Sequence, residues 1–193
     1  MFGNIRAISN VTRFGQVARL CPENVAEHSY WVCLFSCLIA EHLEREDSFQ
    51  IDWRNLTLSS ILHDMEESIT GDFPRPFKHS SRELNEAIEK AATIAAKEVA
   101  CDLSEDQLIR CLLFNRWREA KDKSNEGRIV ALADYLSVLQ WGLREKALGS
   151  RKISADLSAL QEYVNQFEHE SFAFLNDFVG QAKALTREVL RGD

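Results

Sequence analysis

Proline and glycine are scarce, at 3 and 8 in 193 residues, which excludes a collagen-like or low-complexity chain and leaves few interruptions for helices. No segment approaches the roughly 20 consecutive apolar residues that span a bilayer. The N-terminus also lacks a charged stretch followed by an apolar one, so a soluble cytoplasmic protein with no membrane partner is the expectation. Basic residues are not in excess: 23 Lys and Arg stand against 30 Asp and Glu, a formal charge of -7. That balance argues against a broad basic nucleic-acid surface and leaves a small anionic substrate open. The 5 cysteines, Cys21, Cys33, Cys37, Cys101 and Cys111, form no CxxC pair and lack the density of a secreted disulfide scaffold. Cys33 and Cys37, four apart in an apolar stretch, read as small buried core residues.

What is present is ordinary globular material, 45% hydrophobic and 27% charged, long enough for one domain with a sizeable core. Apolar residues recur at helical spacing from Pro22 or Glu23 to Glu46 and again from about Asp52 to Ser68, with Asp52 a candidate cap. Gly71, Pro74 and Pro76 make ITGDFPRPFKHSS an irregular loop. Further helices are expected from about Ser80 to Val99, after Ser104 with Gln107 completing a capping box, and from RIVALAD to about Leu148 ahead of Gly149. KDKSNEG reads as a polar connector, and a C-terminal helical region runs from about Asp156 to Leu190. The expectation is an all-α fold, with residues 1–193 forming one domain of about six or more helices and the C-terminal region packed on it.

The strongest chemical signal is HDMEE, residues 63–67, close to a helix end. His63 and Asp64 lie about 100° apart on an ideal helix, yet at its end they can converge on one ion. Imidazole and carboxylate suit zinc or another first-row divalent metal. Glu67, four after His63 and three after Asp64, falls on the same side and could orient or deprotonate a water. His28 lies early in the first apolar helix, where it is either a satisfied core histidine or a ligand. Asp134 interrupts IVALADYLSVL, where an unpaired carboxylate would be costly. A metal, a buried arginine or a wet groove would each account for it. His42 reads as solvated, and His79, though near the Pro loop, as a bystander. Trp31, Trp117 and Trp141 read as packing or subunit contacts, and RWREAKDK, residues 116–123, as a solvated helix end.

The order His28, His63-Asp64, Asp134 resembles the H…HD…D signature of the HD-domain phosphohydrolases. The likeness is close over residues 10–29, 61–80 and 131–139, extends over about residues 5–150, and points to the bacterial 5'-deoxynucleotidase branch and its phage relatives. The resemblance implies one divalent metal per site (zinc, manganese or cobalt) on His28, His63, Asp64 and Asp134, with Glu67 as the catalytic base. It also implies substrate contacts at Arg13, Phe14, Asp72 and Lys78. Phe14 stands where the bacterial enzymes usually carry tryptophan beside the sugar, Asp72 would meet the deoxyribose, and Lys78 the phosphate. Arg75 reads as ordinary surface. The implied activity is hydrolysis of deoxyribonucleoside 5'-monophosphates to deoxyribonucleosides and orthophosphate. The alternatives are a phage-type triphosphohydrolase of dATP or other deoxynucleoside triphosphates, and a noncatalytic metal-binding interaction protein. A homo-oligomer, dimer or larger ring, and no stable nucleic-acid partner complete the expectation.

Overall fold

The computed structural model describes residues 3–47 and 50–150, together with 180, 181, 183–185 and 187. Among these residues the regular structure is helical: α1 (Gly3–Ala7), a 3-10 turn (Ile8–Asn10), α2 (Val25–Asp47), α3 (Trp53–Leu62), α4 (Glu67–Thr70), α5 (Arg75–Lys78), α6 (Arg82–Leu103), α7 (Gln107–Arg118) and α8 (Asn125–Ala147). The all-α expectation holds. The only pairing of extended backbone among them is a single antiparallel bridge between Thr12 and Asn24.

Two apolar clusters organise the bundle. In the first, α2 lies along α8, burying Val32, Ile39, Ala40 and Leu43 against Ile129, Leu132, Ala133, Tyr135, Leu139 and Trp141, with Leu56 of α3 between them. Burial of such side chains stabilises by roughly 1.5–3 kcal/mol each. In the second, Ala96, Val99 and Ala100 of α6 meet Leu62 and Met65, with Phe114 and Trp117 of α7 packed alongside. Leu62 and Met65 bracket His63 and Asp64, so the chemical dipeptide sits on a turn pinned at both ends in the second core.

That turn corrects the second expected helix. It does not run to Ser68 but ends at Leu62, and the chain tightens through Met65 N–H to Leu62 O and Glu67 N–H to Asp64 O before α4 begins. Gly71 ends α4 at φ 74°, a left-handed conformation that glycine adopts without strain. Prolines do not keep the next segment irregular throughout, because Arg75–Lys78 forms a short helix. The first long helix begins at Val25 rather than Pro22 or Glu23. Asp52 caps α3 through Asn55 N–H as expected. The box expected at Ser104 is not formed: Asp106 accepts from Leu108 and Ile109 N–H and is the cap of α7. Cys33 and Cys37 are half-buried, less enclosed than a core position.

Helix α8 begins inside the expected connector, where Ser124 caps it through Gly127 N–H. A Cβ on Gly127 would lie 2.4 Å from Asp122 Oδ1 and 2.7 Å from its backbone N and O. Gly127→Ala should therefore destabilise the protein by about 1–3 kcal/mol, read as a lowered midpoint in thermal unfolding; an unchanged midpoint would contradict the close packing of this connector. Most of the expected C-terminal helix lies outside the described residues, although Leu185 packs against the first core cluster.

Candidate metal centre

His28 enters from α2 and is fully buried; His63 and Asp64 come from the turn after α3, and Asp134 from the middle of α8. Donor atoms of His28, His63 and Asp64 all lie within 4.8 Å of one another. His28 Nε2 is 3.0 Å from Asp134 Oδ1, 3.6 Å from Asp64 Oδ2 and 3.3 Å from His63 Nε2. His63 Nε2 is 2.9 Å from Asp64 Oδ2. Four groups separated by up to 106 residues thus meet at one point.

The surroundings set the chemistry of each donor. His63 Nδ1 donates to Ser60 O at 2.8 Å, which leaves the Nε2 lone pair facing the cluster, the usual way a metal-binding imidazole is oriented. His28 Nδ1 is 3.0 Å from the buried Ser137 hydroxyl. Burial, reinforced by the charge of Arg13, pulls the His28 pKa down to about 3, so the ring is neutral and able to coordinate. Burial alone would raise Asp64 and Asp134, but neighbouring histidines and Lys121 outweigh it and hold both carboxyls below their ordinary range. Two imidazole nitrogens and ionised carboxylates make this a donor set capable of holding a single divalent ion.

Around it lies more negative charge. Glu67 has a buried Oε2 without a hydrogen-bond partner; burial, then Asp64, Asp72 and Glu66, push its carboxyl up to about 10. Glu66 is pushed up to about 7 by burial and by Asp64, and accepts from Trp117 Nε1 at 2.5 Å. Trp117 therefore does more than pack. Such crowding of carboxylates around buried histidines is what a bound cation would relieve.

The expected substrate residues gather beside this cluster. Arg13 pairs with Glu23 at 2.8 Å, both side chains largely enclosed, and its charge acts on His28, Glu67 and Asp72. Phe14 N–H donates to Asp72 Oδ2 at 3.2 Å. Burial raises the Asp72 pKa, opposed by Arg13 and by this bond. Phe14 takes a left-handed φ of 55°, uncommon for an aromatic residue, and stacks on Trp141 at 4.2 Å between ring centroids. Trp141 thus backs the ring expected to lie beside the sugar. Lys78 borders a cavity of about 490 Å³ with His63, Asp64, Glu66 and Lys121. His42 and His79 are exposed, as expected.

The loop bearing Arg13 and Phe14 is anchored from α8. Glu145, fully buried, accepts from Leu20 N–H at 2.8 Å and Cys21 N–H at 2.5 Å, while Trp141 Nε1 donates to Cys21 O at 3.1 Å. Glu145→Ala strands two backbone donors, and the protein should lose about 2 kcal/mol or more in denaturant unfolding. A loss below half of that would show the loop is held by other contacts.

Sequence reading missed Lys121, Ser137, Glu23 and Glu145. Lys121, taken for part of a solvated helix end, lies 2.6 Å from Asp134 Oδ2 and 4.0 Å from Asp64 Oδ1. Neither an arginine nor solvent alone faces Asp134; its cationic partner is this lysine. Ser137 follows Asp134 by three residues and so shares its face of α8, the one signal that was available for it.

A family profile described as "5'-deoxynucleotidase YfbR-like" matches residues 1–182. Proteins named "5'-deoxynucleotidase YfbR" from Salmonella arizonae and Salmonella paratyphi B are 26% identical over 164 residues, covering 83% of this chain and 80% of theirs. An HD-domain phosphohydrolase from Listeria innocua has the same fold, with a TM-score of 0.74 at 22% identity over 97% of this chain and 95% of that one. The PH0347 protein of Pyrococcus horikoshii matches with a TM-score of 0.75 at 20% identity over 94% of this chain and 96% of its own. No helix among the described residues is long and apolar enough to cross a membrane. The chain belongs to the YfbR-like 5'-deoxynucleotidase family, and is a metal-dependent HD-domain hydrolase that acts on nucleotides.

Proposed function

We propose that the protein hydrolyses deoxyribonucleoside 5'-monophosphates to deoxyribonucleosides and orthophosphate, using His28, His63, Asp64 and Asp134 as metal ligands. The observation that carries this reading is the junction of the donor cluster with the Arg13–Phe14–Asp72 group, in which Phe14 N–H and Asp72 Oδ2 tie two distant loops together beside the histidines. The Salmonella relatives, named as 5'-deoxynucleotidases, support the same substrate class.

His28, His63, Asp64 and Asp134 would hold a divalent ion, which would supply Lewis acidity toward water and phosphate. Glu67, three residues beyond Asp64, accepts the proton of the attacking water. Arg13, fixed by Glu23, offers its remaining donors to phosphate oxygens or the sugar edge. Lys78 approaches from the cavity wall and adds positive charge at the phosphate. Asp72 accepts a hydrogen bond from the deoxyribose hydroxyl, and Phe14, held by Trp141, forms the wall beside the sugar.

Product-resolved hydrolysis of dAMP and dATP, with divalent metals supplied separately and a His63→Ala, Asp64→Ala double variant as control, tests this. Deoxyadenosine and orthophosphate from dAMP are expected. Release of triphosphate from dATP with dAMP untouched would sink the monophosphatase reading in favour of a triphosphohydrolase. The homo-oligomer, a dimer or larger ring, is read by light scattering on the same preparation.

A further inference from the structure

Lys121 meets the two acidic members of the cluster on the oxygens that do not face the imidazoles. Asp134 turns Oδ1 to His28 at 3.0 Å and Oδ2 to the ammonium at 2.6 Å. Asp64 turns Oδ2 to His63 at 2.9 Å and Oδ1 toward the same ammonium at 4.0 Å. The lysine stands between helices α7 and α8, in a connector whose course is tightly fixed. Asp122 accepts from Ser124 N–H and from the Ser124 hydroxyl, and its backbone lies against Gly127 with no room for a Cβ. Its ammonium comes from 13 residues before Asp134 in sequence, from a different element, and borders the cavity shared with Lys78.

We infer that Lys121 is the positioning residue of the metal centre, its ammonium hydrogen-bonding the outer oxygen of Asp134, and facing that of Asp64 as a charge, so that Asp134 presents a single oxygen inward. A carboxylate can chelate through both oxygens, which would consume coordination positions that water and phosphate require. An ammonium hydrogen bond on the outer oxygen opposes that mode and fixes the plane of the carboxylate. The charge balance has a second consequence. Two carboxylates cancel a divalent ion, and the ammonium adds a positive charge to set against the neighbouring Glu66, Glu67 and Asp72. The inference rests on the proposed ligand set, Asp134 included.

The test uses the full chain loaded with cobalt alone, since its visible absorption reports the number, kind and arrangement of its ligands, and steady-state kinetics alongside. Lys121→Met should change that absorption as Asp134 closes to two-oxygen coordination, and lower kcat roughly 10–100-fold with KM changed less. Lys121→Arg should restore most of both, because a guanidinium can reach the same oxygens. An unchanged spectrum with unchanged kcat would overturn the inference, leaving Lys121 an ordinary ion pair. A loss confined to KM with an unchanged spectrum would overturn it too, making the lysine a phosphate contact. Lys121→Gln gives the same two readouts if the methionine variant fails to fold. Failure of the wild type to take up cobalt at the cluster would overturn the metal centre itself, whereas a wild-type cobalt spectrum without dAMP hydrolysis would count against the substrate reading alone.

Discussion

Asp64→Asn is expected to lower nucleotide hydrolysis by about a thousandfold or more, the consequence of several kcal/mol of metal-derived transition-state stabilisation. The substitution keeps the shape of the side chain and removes its charge from a donor set in which Oδ2 is 2.9 Å from His63 Nε2 and 3.6 Å from His28 Nε2. An amide oxygen is a weaker donor to a divalent ion, and His28, His63 and Asp134 are left to hold it with one negative charge fewer. The fold should survive. Asp64 adds to burial in raising the pKa of Glu66 and Glu67, so neutralising it relieves that repulsion while giving up the attraction of its carboxylate to His63 and Lys121. The two effects separate in a thermal-shift titration. Wild type should gain about 2.7 kcal/mol at a hundredfold excess of metal over its Kd, while Asp64→Asn should show little response. A variant that kept its activity within tenfold, with the same metal-induced stabilisation, would remove Asp64 from the centre.

The helical class was legible because the apolar residues of α2, α6 and α8 recur at helical spacing with few breakers. The meeting of His28 with Asp134 was legible for a different reason: a carboxylate within IVALADYLSVL and a histidine within an apolar helix conflict with their surroundings unless something compensates them. The exact end of α3 was not legible. Leu62 and Met65 continue the helical period, and only their shared burial in the second core shows that the chain tightens into a turn between them. Lys121 was hidden because its charges alternate with those of its neighbours, which is how a solvated helix end also reads. What distinguishes it is the approach of its ammonium to Asp134 and Asp64, a tertiary fact. Glu145 was hidden similarly, since its partners are backbone N–H groups at Leu20 and Cys21, and backbone groups leave no mark in a sequence. Phe14 was anticipated as an aromatic wall, but its stacking partner Trp141, 127 residues away, had been read as a packing or subunit contact.

Glu67→Gln is expected to lower kcat roughly 10²–10⁴-fold and at the same time to make the metal-free protein more stable. Loss of activity follows from losing the proton acceptor beside the ligands, with metal uptake retained because Glu67 is not among the donors. The stability gain follows from burial and from the charges of Asp64, Asp72 and Glu66, which raise this carboxyl from 4.5 to about 10. Between those values the folded protein holds a proton that the unfolded chain releases. The folded state therefore binds more protons, and its stability falls as pH rises through that window. Glutamine keeps the neutral form at every pH. Its advantage over wild type should be smallest near pH 4 and should grow toward roughly pH 8 in thermal unfolding of chelator-treated protein. Bound metal should narrow the difference, because a cation at Asp64 offsets the negative charge that disfavours ionised Glu67. A side chain kept at a cost to the empty fold and relieved by the ion is the signature of a functional acid. Equal stability of variant and wild type across pH, together with retained turnover, would reduce Glu67 to a buried neutral residue with no part in the reaction.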